Sequence, residues 1–501
     1  MAGIRRMGAA KRNPSTRMRH ESDGYRYAHP SYACYTPCRG EAHDGNFTPG
    51  AEWFNPHWMT KVRFAPSPTG YLHAGNARAA LVNYLFARHE GGKFLLRLDD
   101  TDSERGRPEY EQGIYDDLRW LGITWDETAK QSERTARYEE VAERLKAAGR
   151  LYPCFENEDE LAAKRAALVK RKLPPVYDRA ALSMTAEQRA TAEANGKRPY
   201  WRFKLSDGGV AWQDLVLGGR SIKLGTVSDP VLIRADGTPL YTFTSVVDDA
   251  DMGITHIIRG EDHVSNTAVQ IDLFQAVSKG PLPRFAHLPL ISGGDGEKLS
   301  KRIGSISLRS LRADGVEPGA IAAYLARLGT NKDAAPLGMN ELIAAFNIAD
   351  FGRSPPRFDA RQLLALNRKL LHALSFEDVK ARLPDGAGED FWHAIRGNLD
   401  MLSEARRWWE VVHGDFLPRE IKGSEAVLKA ALETLPPAPL GPDSWKAWTT
   451  EIAAATGAAG RALYHPLRVA LTGEDQGPEM AGLLPLIGHE RTMARLRRFV
   501  V

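Results

Sequence analysis

Residues 61–98 read KVRFAPSPTGYLHAGNARAALVNYLFARHEGGKFLLRL, and their order predicts the fold. Lys61-Val62-Arg63-Phe64 reads as a short strand. Pro66-Ser67-Pro68-Thr69-Gly70 is a loop, because its two prolines cannot donate to a ladder. Ala77, Leu81, Tyr84, Leu85 and Arg88 then fall on one helical face, and Gly91-Gly92 stops that helix. Lys93 to Leu98 is a second strand. Strand, helix and strand within about 40 residues make a βαβ unit, which predicts a parallel, doubly wound sheet.

On the N-terminal side, residues 1–58 mix Arg, His, Tyr, Pro and Gly without apolar periodicity and are predicted to form a disordered extension. They hold no apolar core of the signal-peptide kind, and Glu21, Asp23, Glu41 and Asp44 argue against a transit peptide. Met59 is an alternative start, since it precedes the first patterned segment. His29, Cys34, Cys38 and His43 are spaced symmetrically enough to ligate zinc, but no helix or hairpin pattern surrounds them.

On the C-terminal side, a helical stretch from about Pro108 to Gly149 contains the tail of the first sheet half. Residues 151–240 change character: Lys164 to Lys172 is basic and helical, while Trp201 to Lys204 and Val231 to Arg234 read as strands. This is a separate α+β insertion. Ile254 to Ile258 returns to a buried-strand pattern that Gly260-Glu261-Asp262-His263 ends. Beyond about Leu308 the chain is helical, with loops at Gly386-Ala387-Gly388 and Pro436 to Pro439.

Composition excludes several classes. The 501 residues are 43% hydrophobic and 26% charged, as in globular proteins, and imply several domains. No apolar run reaches the ~20 residues of a membrane span. Three cysteines cannot build a disulfide framework and point to a reducing compartment, so a cytoplasmic protein is expected. The net charge of +4 leaves any nucleic-acid binding to local patches.

Two clusters carry chemistry. Pro66 to Asn76 joins the first strand to the first helix, at the usual ligand edge of a doubly wound sheet. Gly70 and Gly75 admit a close backbone approach, the helix start offers N–H groups to phosphate, and His73 can donate to a phosphate oxygen. Taken alone, a proline-rich turn with a surface histidine explains this stretch equally well. Glu297-Lys298-Leu299-Ser300-Lys301-Arg302 follows Ser292-Gly293-Gly294-Asp295-Gly296. Its cations suit the charge of a polyphosphate transition state, although a basic loop alone is more often simply solvated.

Together the clusters resemble the paired signatures of class I aminoacyl-tRNA synthetases, and more specifically the bacterial glutamyl-tRNA synthetase family. Arg63-Phe64-Ala65-Pro66-Ser67-Pro68-Thr69-Gly70 matches that family's opening. Arg97 to Asp102, Tyr241 to Asp249, Arg259-Gly260-Glu261-Asp262 and Lys298 to Arg302 follow in its order and spacing, so the resemblance spans about 60–501. It implies an α/β fold: a Rossmann-type parallel-sheet catalytic domain with an α+β insertion, then an all-α C-terminal anticodon-binding region. The implied segments are the extension 1–58, the catalytic halves 59–150 and 241–307, the acceptor-stem insertion 151–240, a stem-contact and junction region 308–374, and an anticodon-binding domain 375–501.

The implied activity is ATP-dependent attachment of L-glutamate to tRNA(Glu) through a glutamyl-adenylate, with tRNA(Gln) as an allowed second acceptor. Glutamate offers two carboxylates, and arginine recognises carboxylate bidentately. By resemblance, Arg259 lies near the α-carboxylate and Arg63 at the γ-carboxylate, with Ser67 and Tyr241 lining the pocket. Asp99 would take the ammonium, one methylene shorter than the glutamate more usual there. Asp248 and Asp249 are expected to be structural. His73, Gly75, Asn76, Asp262, Lys298, Ser300 and Lys301 would hold ATP and its magnesium, with His73, Lys298 and Lys301 stabilising phosphate charge. Asn76 replaces the usual His or Gly and can still donate through its amide. The insertion's Cys154 lacks the partner thiols of the zinc site found in some relatives, so it is expected to be a packed core residue and no protein-bound zinc is expected. The family is mostly monomeric.

Three rivals share parts of this pattern. A glutaminyl enzyme usually carries a β-barrel anticodon region, and a tRNA-modifying paralogue lacks the roughly 200 residues after Arg302. A non-catalytic relative would be expected to lose His73, Lys298 or Lys301.

Overall fold

The computed structural model describes residues 59–102, 104–292, 307–416, 421 and 423–500. The extension with His29, Cys34, Cys38 and His43, and the loop with Lys298, Ser300 and Lys301, lie outside the described residues.

β1 (Lys61–Phe64), α1 (Ala74–His89) and β2 (Lys93–Leu98) form the expected βαβ unit, with Lys61 beside Lys93 and Phe64 beside Leu96 in parallel register. Gly92 allows the tight return: a Cβ there would lie 2.2 Å from the Thr60 carbonyl oxygen. α2 (Pro108–Trp120) leads to β3 (Glu127–Lys130), parallel to β2. β3 is the tail of the first sheet half expected within Pro108 to Gly149, and α3 (Thr135–Ala147) follows it.

The chain then runs through β4 (Leu151–Cys154), α4 (Glu158–Lys170), α5 (Ala186–Ala194), β5 (Tyr200–Phe203), β6 (Gly209–Asp214), β7 (Gly218–Lys223) and β8 (Val231–Ile233). β4, β5 and β8 make a small antiparallel sheet. Cys154 is buried in it, with Sγ 3.7 Å from the Tyr177 hydroxyl, and burial pushes its thiol up to about 11.

α6 (Tyr241–Asp251), β9 (His256–Gly260), α7 (Val264–Val277) and β10 (Arg284–Leu288) complete the second half of the main sheet. β9 and β10 are parallel, and β10 also pairs with β6, so the strand order there is β7-β6-β10-β9. The β6–β7 hairpin falls inside the segment read as a separate insertion, yet it forms the edge of this sheet. Leu215 N–H donates to the Phe285 carbonyl at 2.9 Å.

The two sheet halves meet at their amino ends, where Thr255 N–H donates to the Lys61 carbonyl at 2.9 Å. No ladder continues beyond that contact among the described residues, so the carboxyl ends of β1 and β9 are free to part. β2 and β3 extend from one side of this seam and β10 from the other. That reversal of strand order is where doubly wound sheets bind ligands.

Four helices follow: α8 (Leu308–Ala313), α9 (Pro318–Arg327), α10 (Met339–Ala344) and α11 (Ala360–Ala373). Ile321 and Leu325 of α9 share one core with Leu81 and Leu85 of α1 and with Val62 and Leu96 of the sheet. Further described elements are helical and enclose a second core around Trp392, Trp448 and Leu467. A third core joins Phe203 and Leu232 of the insertion to Phe243, Ile257 and Phe285 beside the main sheet.

His256 starts β9 with its ring 4.8 Å from that of Phe86, and burial beside Arg284 lowers its pKa from 6.5 to about 4. The folded state refuses a proton that the unfolded state accepts, so this group costs nothing above about pH 6.5 and destabilises progressively as pH falls toward 4. Comparing denaturant unfolding of wild type with His256→Gln should isolate this term. The wild type is expected to lose stability relative to the variant by up to about 1.4 kcal/mol per pH unit across that window.

Candidate active site

A cavity of about 450 Å³ opens between the carboxyl ends of β1 and β9. It is lined by Arg63, Ser67, His73, Gly75, Asn76, Asp99, Tyr241, Arg259 and Asp262 among others. The structure thus brings together every candidate site residue among the described ones, from segments nearly 200 positions apart.

His73 sits at the start of α1, where four orphan N–H groups need acceptors. Its Nδ1 accepts from the backbone N–H of Gly75 at 3.0 Å and of Asn76 at 3.3 Å, while Asn76 Oδ1 accepts from His73 N–H at 3.5 Å. This capping box assigns Nδ1 as acceptor, so the ring proton resides on Nε2. Burial lowers the pKa of His73, which keeps the ring neutral and the cap intact. Gly75 is required by close approach: a Cβ would lie 2.9 Å from His73 Cε1. Asn76 therefore serves the cap through its oxygen, and its amide N–H groups are not used by it.

Behind the cavity lies a buried ion cluster that reaches its lining through Arg63 and Asp99. Arg97, fully buried, donates from Nε to Asp99 at 2.8 Å and from Nη1 to Asp249 at 2.7 Å. Asp249 also accepts from Arg63 Nε at 3.1 Å. Burial pushes Asp249 up, but the two guanidinium groups outweigh it and hold the carboxyl below its usual range. Beside it, Asp248 accepts from Gln131, Arg134 and Tyr138. These two aspartates carry the ion network behind the cavity. Asp99 lines the cavity yet spends its carboxylate on Arg97; burial raises its pKa to about 6 against that pairing.

Arg259, near the end of β9, is buried and forms no salt bridge among the described residues. Its partners are neutral: Nη2 donates to Thr267 Oγ1 and Gln270 Oε1, each at 2.6 Å, Nη1 to the Tyr241 hydroxyl at 3.2 Å, and Nε to His287 Nε2 at 3.4 Å. Gln270 is fixed in turn, donating to Ser245 Oγ at 3.0 Å. Of the five guanidinium N–H groups, one on Nε, two on Nη2 and one on Nη1 are thus engaged, and among the described residues one on Nη1 has no partner. Desolvation lowers the pKa of Arg259 without discharging it. A buried cation held only by neutral groups in a cavity wall is a receptor for an anion.

Asp262 and His263 edge the opposite rim. Gly260 lets the chain fold there, since a Cβ would lie 2.4 Å from Asp262 Oδ1. His263 packs 5.6 Å from the Tyr241 ring, and burial next to Arg259 lowers its pKa to about 4. Ile291, just before the undescribed loop, lines the cavity, and Ser307, just after it, bridges His73. Both ends of the segment carrying Lys298 and Lys301 therefore lie at the site. The sequence reading did not single out Arg97 as an individual site residue, nor did it name Thr267, Gln270, His287 and Asp214. Only Arg97 lay within a motif, Arg97 to Asp102, that could have flagged it.

Comparison with known proteins gives a consistent set of matches. The family described as tRNA synthetases class I (E and Q), catalytic domain, matches residues 59–365, and an anticodon binding domain family matches residues 416–500. Glutamate–tRNA ligase 2 of Acidiphilium cryptum is 66% identical over 441 residues, covering 88% of this chain and 99% of the relative. The protein of the same name from Gluconobacter oxydans is 59% identical, covering 87% and 99%. Among solved structures, a glutamate tRNA ligase from Elizabethkingia meningosepticum in complex with its amino acid superimposes with a TM-score of 0.77 at 28% identity, covering 88% of this chain and 99% of that one.

The Gly75–His73 contact is open to direct test. Gly75→Ala should push His73 off the helix end, costing about 1 kcal/mol of stability through the lost cap. Calorimetric titration should show ATP affinity falling by about tenfold or more, as expected for one lost charge-assisted hydrogen bond.

Proposed function

Because the chain belongs to the class I tRNA synthetases of glutamate and glutamine, we propose that the cavity between β1 and β9 is where it activates its amino acid. The chain is a glutamate–tRNA ligase: it attaches L-glutamate to tRNA with ATP, through a glutamyl-adenylate. The observation that carries the residue assignment is the guanidinium of Arg259, which no carboxylate touches among the described residues. In this reading Arg259 receives the α-carboxylate and Arg63, anchored through Nε on Asp249, presents its η nitrogens to the γ-carboxylate. Tyr241 and Ser67 line the intervening wall. Asp99 faces the ammonium with a carboxylate already shared with Arg97, so it orients the amine rather than neutralising it alone.

The α-carboxylate oxygen attacks the α-phosphorus of ATP in line, the bond to the bridging oxygen breaks, and pyrophosphate leaves. No protein nucleophile takes part; the chain supplies position and charge. His73 Nε2–H, oriented by the helix cap, donates to phosphate, with Lys298 and Lys301 adding charge from the loop anchored at Ile291 and Ser307. Gly75, Asn76, Asp262 and Ser300 complete the nucleotide side, and magnesium arrives with ATP as substrate. The terminal adenosine hydroxyl of tRNA then attacks the glutamyl carbonyl and AMP leaves. The helical C-terminal region is the side that binds the anticodon, supported by the family match over residues 416–500. No described helix is long and apolar enough to cross a membrane, and we place the activity in the cytoplasm with a monomeric enzyme.

Arg259→Gln and Arg63→Gln should each raise the glutamate KM by about 10- to 100-fold, with a much smaller change in the ATP KM, as for a lost hydrogen bond to charge. An unchanged glutamate KM in either variant contradicts that arginine's assignment. Lys301→Ala should slow pyrophosphate exchange by about 100-fold or more. Charging assays with separate tRNA(Glu) and tRNA(Gln) transcripts test the acceptor: labelled glutamate is expected on tRNA(Glu), and no charging of either would refute the activity.

A further inference from the structure

The groups behind Arg259 form a directed chain that begins on the β6–β7 hairpin. Asp214, the last residue of β6, is completely enclosed. Its Oδ1 accepts from the backbone N–H groups of Val216 at 3.1 Å, Leu217 at 2.9 Å and His287 at 3.1 Å. Its Oδ2 accepts from His287 Nδ1 at 2.5 Å. Burial works against the charge of Asp214, but these donors outweigh it and hold the carboxyl below its usual range. His287, equally enclosed on β10, is kept neutral, chiefly by burial and also by the nearby Arg259.

The tautomer follows. With the Nδ1 proton directed at Asp214, Nε2 of the neutral ring is a bare acceptor. The Thr267 hydroxyl has one proton and two acceptors in reach: His287 Nε2 at 2.8 Å and the His263 carbonyl at 3.1 Å. A bare Nε2 draws that proton, which turns the Thr267 oxygen lone pairs toward Arg259 Nη2 at 2.6 Å. The same Nε2 faces Arg259 Nε at 3.4 Å. Every bond then points one way, from guanidinium through hydroxyl and imidazole to carboxylate. Such aligned bonds polarise one another.

We propose that Asp214 and His287 are positioning residues for Arg259, acting through Thr267 to orient its guanidinium for the substrate α-carboxylate. The inference rests on the reading of Arg259 given above. It explains a design problem: a carboxylate touching Arg259 would compete with the substrate, whereas one placed two groups away steadies the cation and leaves its free N–H to the ligand. It also gives the hairpin a purpose in the pocket. The residue that sets the tautomer comes from β6, a strand of the catalytic sheet whose sequence lies between two strands of the small antiparallel sheet.

Asp214→Asn is the discriminating variant. Asparagine keeps an oxygen for the Val216 and Leu217 N–H groups, but its amide donates where Oδ2 accepted, so His287 must move its proton to Nε2. That N–H then competes with Arg259 for the Thr267 oxygen. In pyrophosphate exchange with tRNA present, D214N is expected to raise the glutamate KM by about tenfold while the ATP KM stays within about twofold. Thr267→Val should do the same, Thr267→Ser should recover most of what T267V loses, and the D214N/T267V double variant should be little worse than either single, because both break one chain. A folded D214N enzyme with an unchanged glutamate KM, or with only a uniform fall in kcat, overturns the proposal. Arg259→Gln separates the two levels. If it leaves the glutamate KM unchanged, the carboxylate reading itself fails; if it raises KM while D214N and T267V do not, the positioning chain alone fails. Should D214N not fold, imidazole 15N spectra of the wild-type enzyme, assigned by difference with His287→Gln, decide the matter. An unprotonated Nε2 supports the chain, and a protonated one overturns it.

Discussion

A guanidinium taken out of water must be repaid with hydrogen bonds or with an opposite charge. Among the described residues Arg259 touches only neutral partners, and that imbalance organises the site. Tyr241, Thr267, Gln270 and His287 each supply a neutral acceptor, drawn from α6, α7 and β10. The missing charge is left for a ligand. Arg63 is the contrasting case: it is anchored to Asp249 through Nε, which fixes the direction of the rest of its fork. One arginine is fixed by an ion pair and the other by dipoles, and a ligand with two carboxylates satisfies both.

This arrangement requires a sheet that opens. Among the described residues the backbone hydrogen bond joining β1 to the start of β9 is the one between Lys61 and Thr255, so Arg63 and Arg259, near the other ends of those strands, stand on two walls of one cavity. The buried Arg97–Asp99–Asp249 cluster ties α6 to β2 behind the opening. The α1 cap then brings a neutral His73 to the same edge. Buried polar bonds back each wall, and α6 serves both, with Asp249 on Arg63 and Tyr241 on Arg259.

Much of this was legible in the sequence, for identifiable reasons. The first βαβ unit declares itself because the apolar face of α1 has helical period and Gly91-Gly92 ends it sharply. Arg63 and Arg259 were legible only through the resemblance of their motifs to the family, whereas His73 declares itself because it sits in a glycine-flanked strand-to-helix loop. The β6–β7 hairpin and β10 did not. Arg284 to Leu288 is a short run, RFAHL, with no clear alternation, and it becomes a strand only by pairing with β9 and β6. Asp214 and His287 lie 73 positions apart, and nothing around either hints at the other. Long-range pairing creates that contact, so no local pattern could reveal it.

The central claim is that the two carboxylates of one small molecule complete the charge balance of this cavity. The most direct measurement is calorimetric titration of the enzyme, with tRNA(Glu) present and ATP withheld, by L-glutamate and by 4-aminobutyrate, which lacks only the α-carboxylate. Glutamate is expected to bind, and the analogue to bind weaker by about 100-fold or more, as for a buried cation left unpaired. Comparable affinities would contradict it, because Arg259 would then have no substrate charge to meet.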